Sequence, residues 1–159
     1  ANDPAKVSNL TVKNALAKIK NSGQKFISRA DNSGTHKKEL SLWGGQPPTW
    51  KDYIKSGQGM GATLIMADQL NAYPLTDIGT FLKMSAKTDL RQISRKEPPL
   101  LNPYGAMVVN PKKHKTVKAQ LANQFLDFLI AKETQKKIAS YRINNQTLFH
   151  PVHIDPKDN

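Results

Sequence analysis

The sequence predicts an α/β protein, and three features carry that expectation. Phe26-Ile27 suits the end of a buried strand and leads through a polar turn into a helix. The glycine-rich stretch Ser56-Gly57-Gln58-Gly59-Met60-Gly61-Ala62-Thr63 leads into a second helix marked by Leu64, Ile65, Ala67 and Leu70. The last third of the chain carries two further amphipathic helices, with Val117, Leu121, Ala122, Phe125, Leu126, Phe128 and Leu129 on the first and Ile138 and Tyr141 on the second.

In chain order, the first eight residues are polar and turn-like. Val12, Ala15, Leu16 and Ile19 then mark a short helix that ends at Asn21-Ser22-Gly23. After the strand at Phe26-Ile27, Asp31, Asn32 and Ser33 are turn and N-cap residues. His36, Leu40 and Trp43 recur at helical spacing behind them. Gly44-Gly45-Gln46-Pro47-Pro48 forbids regular structure, and Thr49 to Tyr53 reads as a short helical piece with aromatic anchors. Asn71 to Asp77 predicts a short strand and a turn, with Asp77 or Thr76 capping a helix through Ile78, Phe81 and Leu82. Leu90, Gln92 and Ile93 read as a strand, and Arg95 to Pro99 as a surface turn. The apolar run from Leu100 to Val109 reads as a strand bent at Pro103 and Gly105. The tail from Asn144 is polar, anchored by Leu148, Phe149 and Val152, with a disordered end.

Composition narrows the chemistry. At 159 residues the chain can bury a substantial core. It has no cysteine, which excludes disulfides, thiolate metal sites and cysteine nucleophiles. No apolar run reaches the roughly 20 residues of a membrane-spanning helix. The formal charge of +12, from 24 Lys+Arg against 12 Asp+Glu, favours an anionic partner. The lysines are spread along the chain, and no RNA-recognition signature, zinc spacing or basic helix with heptads accompanies them. A basic nucleic-acid-binding module therefore stands as the alternative, not the main expectation. The start, Ala1-Asn2-Asp3-Pro4, is neither an initiator methionine nor a signal peptide, and an upstream segment is expected.

The first amides of a helix have no internal partner and carry the positive end of its dipole, so the turn at Ser28 to His36 is an anion site in outline. Gly34 keeps bulk away, Ser33 and Thr35 add hydroxyls, and Arg29 adds a permanent cation with forked donors. The alternating glycines before Thr63 repeat this logic by leaving amides bare ahead of a second helix. The bland readings are a structural cap for the first turn and a flexible loop for the second. A phosphate-binding Walker motif needs a Lys after its last Gly, and a dinucleotide fingerprint needs another spacing and a preceding strand; neither condition is expected here. His150-Pro151-Val152-His153 has the wrong spacing for a metal pair, and His114 lies in a lysine-rich turn. His36 reads as a helix-face residue or one behind the site. Ser33 with His36 or Asp31 as a hydrolytic pair lacks the Gly-x-Ser-x-Gly elbow, so no enzyme is expected. Trp43 and Trp50 read as packing residues.

The strings Ser28-Arg29-x-Asp31-x-Ser33-Gly34-Thr35-His36, Gly57-Gln58-Gly59-Met60-Gly61-Ala62-Thr63 and Leu101-Asn102-Pro103-Tyr104-Gly105, with the segments Ala72 to Leu82 and Gln135 to Pro151, together resemble the tungstate-binding proteins of bacterial ABC importers. That resemblance implies a type II periplasmic binding fold, two lobes each built on a mixed sheet flanked by helices with an oxyanion held between them. It implies a second lobe over residues 1–100, a hinge or crossover strand over 101–111, and helices over 112–159 that pack on the first lobe, whose early anion loop has no counterpart here.

Tungstate, with molybdate as a second candidate, is the implied ligand, with no cofactor and no metal. Arg29, Ser33, Gly34, Thr35, Met60, Gly61, Ala62 and Thr63 are the implied ligand-binding residues. Asp31 would repel the anion if it faced it, and is expected to pair with Arg29 or to cap the helix. A phosphate- or sulfate-type binder is the nearest alternative. Implied partners are an ABC permease and an N-terminal segment or second chain that completes the first lobe, including a swapped dimer, and not nucleic acid. The implied location is periplasmic or extracellular, with membrane association through the transporter or a lipid anchor.

Overall fold

A computed structural model describes residues 3–94 and 96–151. The chain divides into two compact units, Ala1–Leu101 and Asn102–Asn159. The first contains α1 (Val12–Asn21), β1 (Phe26–Ser28), α2 (Gly34–Leu42), β2 (Tyr53–Lys55), α3 (Met60–Gln69), β3 (Tyr73–Pro74), α4 (Ile78–Met84) and a 3-10 turn at Pro98–Leu100. Its sheet has the order β2-β1-β3 and is parallel at both junctions, with Phe26 opposite Tyr53 and Tyr73.

All three residues of β1 are buried, as a central parallel strand requires. Side chains alternate across the sheet. Phe26 faces a core made with Val7, Val12, Leu16, Ile19 and Tyr73, against which Leu42, Trp43, Trp50 and Tyr53 also pack. Ile27 faces the other way, onto Ala67 and Ala72 with Ile54, Met66 and Leu70. Phe26 meets Trp43 edge-on at a centroid distance of 5.5 Å and stacks on Tyr53 at 6.0 Å, so both tryptophans lie in the packing cluster around it.

Local chemistry explains the helix limits. Thr11 caps α1, and the Glu97 carboxylate accepts the Val12 N–H at 2.7 Å, which sets a negative charge against the positive end of that helix. Asp77 caps α4 by accepting from Thr80 N at 2.8 Å. Tyr73 pins the N-terminal segment to the sheet: its hydroxyl donates to Asp3 at 2.7 Å and accepts from Ala5 N at 2.9 Å.

Several expectations are corrected. Thr49 to Tyr53 is not helical; Lys51 and Asp52 turn into β2, because Asp52 O accepts from Phe26 N at 2.9 Å and Tyr53 finds a ladder partner beside β1. A strand therefore does precede the glycine-rich turn. Leu90 to Ile93 forms no strand. Asp89 N bonds to the Asp68 side chain at 3.1 Å, and Leu90 and Ile93 pack into different clusters, so no ladder runs along the segment. Residues 101–110 are irregular, with Leu101, Tyr104, Met107 and Val109 exposed, so the expected strand from Leu100 to Val109 is absent there. An apolar run becomes a strand only beside a strand partner, and none pairs with it among the described residues.

The second unit contains α5 (Ala119–Ile130), α6 (Lys132–Ser140), β4 (Arg142–Ile143) and β5 (Gln146–Thr147). The two strands form an antiparallel hairpin that the sequence reading missed; Asn144 and Asn145 sit at φ 50° and 62°, the left-handed pair of a tight hairpin turn. Gln135 is buried and donates to Leu129 O at 2.6 Å, joining α6 to the end of α5. Phe149 packs on Tyr104 and Tyr141 and Leu148 is half-buried, whereas Val152 and His153 lie outside the described residues. On α5, Leu121, Phe125, Phe128 and Ile130 are exposed.

Phe26 touches the helical cover, β2 and β3 at once. Phe26→Ala is expected to destabilise the protein by roughly 3–5 kcal/mol, read as a lowered urea midpoint with an unchanged slope.

Candidate oxyanion site

Because β1 and β2 are parallel neighbours, both end at the same edge of the sheet, and each feeds a helix from there. α2 ends on the Phe26 face through Leu42 and Trp43, while α3 packs on the Ile27 face through Met66 and Ala67. Two helices leaving adjacent strands over opposite faces open a crevice at the carboxyl edge. The turns are tied across it. Ser56 N donates to Ser28 O at 2.8 Å and Ser56 Oγ to Arg29 O at 3.5 Å, so residue 56 of the second turn grips residues 28 and 29 of the first.

Ser33 caps α2 by accepting from His36 N at 3.2 Å, and the first regular helical bond runs from Lys37 N to Ser33 O. The Gly34 and Thr35 amides are left with no partner among the described residues. α3 has no side-chain cap on Gly59, and its first helical bond runs from Thr63 N to Gly59 O, which leaves the Met60, Gly61 and Ala62 amides in the same condition. A methyl group added at Gly34 or Gly59 would meet no atom within 4 Å, so space stands open over both helix ends.

Of the residues expected to bind directly, Thr63 takes a different place. It is fully buried, its amide is spent in the helix, and its hydroxyl bonds to Ser56 Oγ at 2.9 Å and Gly59 O at 3.1 Å. It braces the glycine turn from behind. Ser33 is likewise engaged, since its amide donates to Asp31 Oδ1 at 3.2 Å while its hydroxyl caps the helix.

Asp31 also forms an ion pair with Arg29 Nη2, so it both pairs and shapes the turn. Hydrogen bonding by the Ser33 hydroxyl lowers the Asp31 carboxyl below its ordinary value against an opposing effect of desolvation, with the Ser33 amide and Arg29 adding to the depression. The Arg29 guanidinium is thereby held by one end, and its Nε is buried without a hydrogen-bond partner among the described residues. Between Arg29 and Asp31, Ala30 adopts φ 50°, an unfavourable conformation for a residue with a Cβ, and its amide donates to Ser28 Oγ at 3.2 Å.

Behind this turn lies a residue the sequence reading did not single out. Glu39, on the inner side of α2, is 2% exposed and accepts from the Tyr53 hydroxyl at 2.6 Å. Burial raises its carboxyl above the ordinary range, against hydrogen bonding from Tyr53 and Ser28. Its sequence signal was available: it is the acidic residue one turn after His36, on the side that Trp43 marks as inward.

The described residues hold no group of three or more histidines and carboxylates arranged for a metal ion, and no helix among them is long and apolar enough to cross a membrane.

A sheet edge flanked by two open helix ends is a binding architecture of the α/β class, and comparison with known proteins identifies the family. A family model described as a PBP superfamily domain matches residues 1–133, and the chain belongs to that superfamily of periplasmic-binding-protein domains. It is 42% identical over 146 residues to the tungstate-binding protein TupA of Peptoclostridium acidaminophilum, covering 89% of this chain and 51% of that protein. The solved structure of TupA from Desulfovibrio alaskensis G20 matches 94% of this chain and 63% of that one, with a TM-score of 0.83 and 38% identity. The tungstate ABC transporter structure from Geobacter sulfurreducens matches 87% of this chain and 60% of that one, with a TM-score of 0.74 and 44% identity. The chain spans about half the length of the relatives it matches.

Thr63→Val keeps the side-chain shape and removes the hydroxyl that braces Ser56. It is expected to cost about 1–3 kcal/mol of stability by leaving buried polar groups unpaired, read as a lower thermal midpoint.

Proposed function

We propose that this chain is part of the substrate-binding component of an ABC importer that captures tungstate. The carrying observation is the pair of open helix ends at one sheet edge, tied together by Ser56. Five unpartnered amides, at Gly34, Thr35, Met60, Gly61 and Ala62, together with the Thr35 hydroxyl and Arg29, surround the oxyanion. Ser33 and Thr63 hold the two turns. The names and identities of the relatives support tungstate as the ligand.

The chemistry agrees. Tungstate is a tetrahedral dianion with no proton to donate, so a site offering only donors favours it over hydrogen phosphate, which needs an acceptor. The carboxylate in the turn, Asp31, is already bonded to Arg29 and Ser33. Molybdate has the same shape and charge and is the expected competitor. The role is binding and delivery to a membrane permease, without catalysis, on the outer side of the membrane, with attachment through the transporter or a lipid anchor.

In this reading residues 1–100 belong to the second lobe, 101–111 form the crossover, and 112–159 pack on the first lobe. The rest of that lobe comes from further protein outside this sequence or from a partner copy. The exposed apolar residues of α5 fit a surface that another segment covers.

The test is calorimetry with tungstate, molybdate, sulfate and phosphate on the full-length protein. Tungstate is expected to bind most tightly, and Arg29→Ala to weaken it by about 2 kcal/mol or more. Preference for phosphate or sulfate would assign a different oxyanion, and tight sequence-selective DNA binding at physiological salt would overturn the transporter reading.

A further inference from the structure

We propose that Glu39, buried on the inner side of α2, takes up a proton when a dianion binds at the N-terminus of that helix. The inference rests on the oxyanion reading of that helix end.

Glu39 lies on the sheet face that carries Ser28 and Tyr53, because Ser28 follows Phe26 by two residues and Tyr53 pairs with Phe26 in register. Its carboxylate accepts from the Tyr53 hydroxyl at 2.6 Å. Ser28, on the same face, accepts the Ala30 amide at 3.2 Å through its Oγ. A turn with φ 50° at alanine persists only where its surroundings hold it. The Ser28 hydroxyl on the Ala30 amide is such a hold.

No lysine or arginine forms an ion pair with Glu39 among the described residues, although the protein carries 24 such side chains. The titratable neighbours are Tyr53 from β2, whose hydroxyl burial pushes above its ordinary range, and His36 one turn earlier on α2. His36 Nδ1 accepts the Asn32 amide at 3.3 Å. Helical rise places Glu39 about 7–8 Å along the axis from the first amide of α2. A dianion at that helix end therefore repels the Glu39 carboxylate through protein interior and raises further a carboxyl that burial has already raised. The sign follows: the loaded state holds more protons than the free state, so binding consumes protons and affinity falls as pH rises between the free and loaded values of Glu39. Tungstate stays a dianion throughout, so the ligand contributes no such slope.

The test is calorimetry of tungstate with the full-length protein, in two buffers of different ionisation enthalpy, from about pH 5, just above the ordinary carboxylate range, up to about pH 9. Net proton uptake is expected, with affinity falling by up to about tenfold per pH unit inside the window. In Glu39→Gln the uptake and the slope disappear while tungstate still binds; in His36→Gln both remain. Binding without proton exchange in the unmodified protein overturns the proposal. So does a slope that survives in Glu39→Gln or disappears in His36→Gln. If Glu39→Gln does not fold, the buffer comparison on the unmodified protein and on His36→Gln still decides. Absence of tungstate binding at every pH would instead overturn the oxyanion reading itself, and this inference with it.

Discussion

The parallel pairing of β1 with β2 constrains everything else in the first unit. Parallel neighbours end at the same edge, so the turns that leave them must start side by side, and any helix that follows presents its amino end there. Phe26 secures the pairing from one face by packing between Trp43 and Tyr53, and Ile27 from the other by packing on Ala67. A slip by one residue would exchange those two side chains between faces and separate the turns that Ser56 now joins.

The charges of the site then follow from burial. A strongly basic chain places one arginine at the crevice and ties it with a neighbouring carboxylate, so that Arg29 is oriented before any ligand arrives. Its buried Nε and the first amides of both helices, with no partner among the described residues, are donors that an anion can complete. Glu39 is the opposite case, a buried acceptor that takes the Tyr53 hydroxyl and has no lysine or arginine ion pair among the described residues.

Much of this was legible from residues alone. The Asp77 cap, the buried Phe26-Ile27 strand and the helix start at Ser33 are local chemistry, and local chemistry is written in the sequence. The strand at Tyr53 was not, because three half-exposed or exposed residues become a strand only when β1 supplies the ladder. The converse error fell on Leu100 to Val109, which is apolar but has no strand to pair with among the described residues. At the site, the open amides follow from the positions of Gly34 and Gly59, whereas the inward role of Thr63 depends on where Ser56 sits across the crevice. Glu39 illustrates the hardest class: a charged residue reads as surface until the sheet face it meets is known.

The central claim is that the first amides of α2 and α3 enclose one oxyanion. The most direct measurement is an anomalous difference map, collected at a tungsten absorption edge, from crystals of the full-length protein grown with tungstate. A single strong peak between the Gly34–Thr35 and Met60–Ala62 amides, within hydrogen-bond reach of both helix ends and of Arg29, is the predicted result. A peak elsewhere, or one that touches neither helix end, would contradict the account.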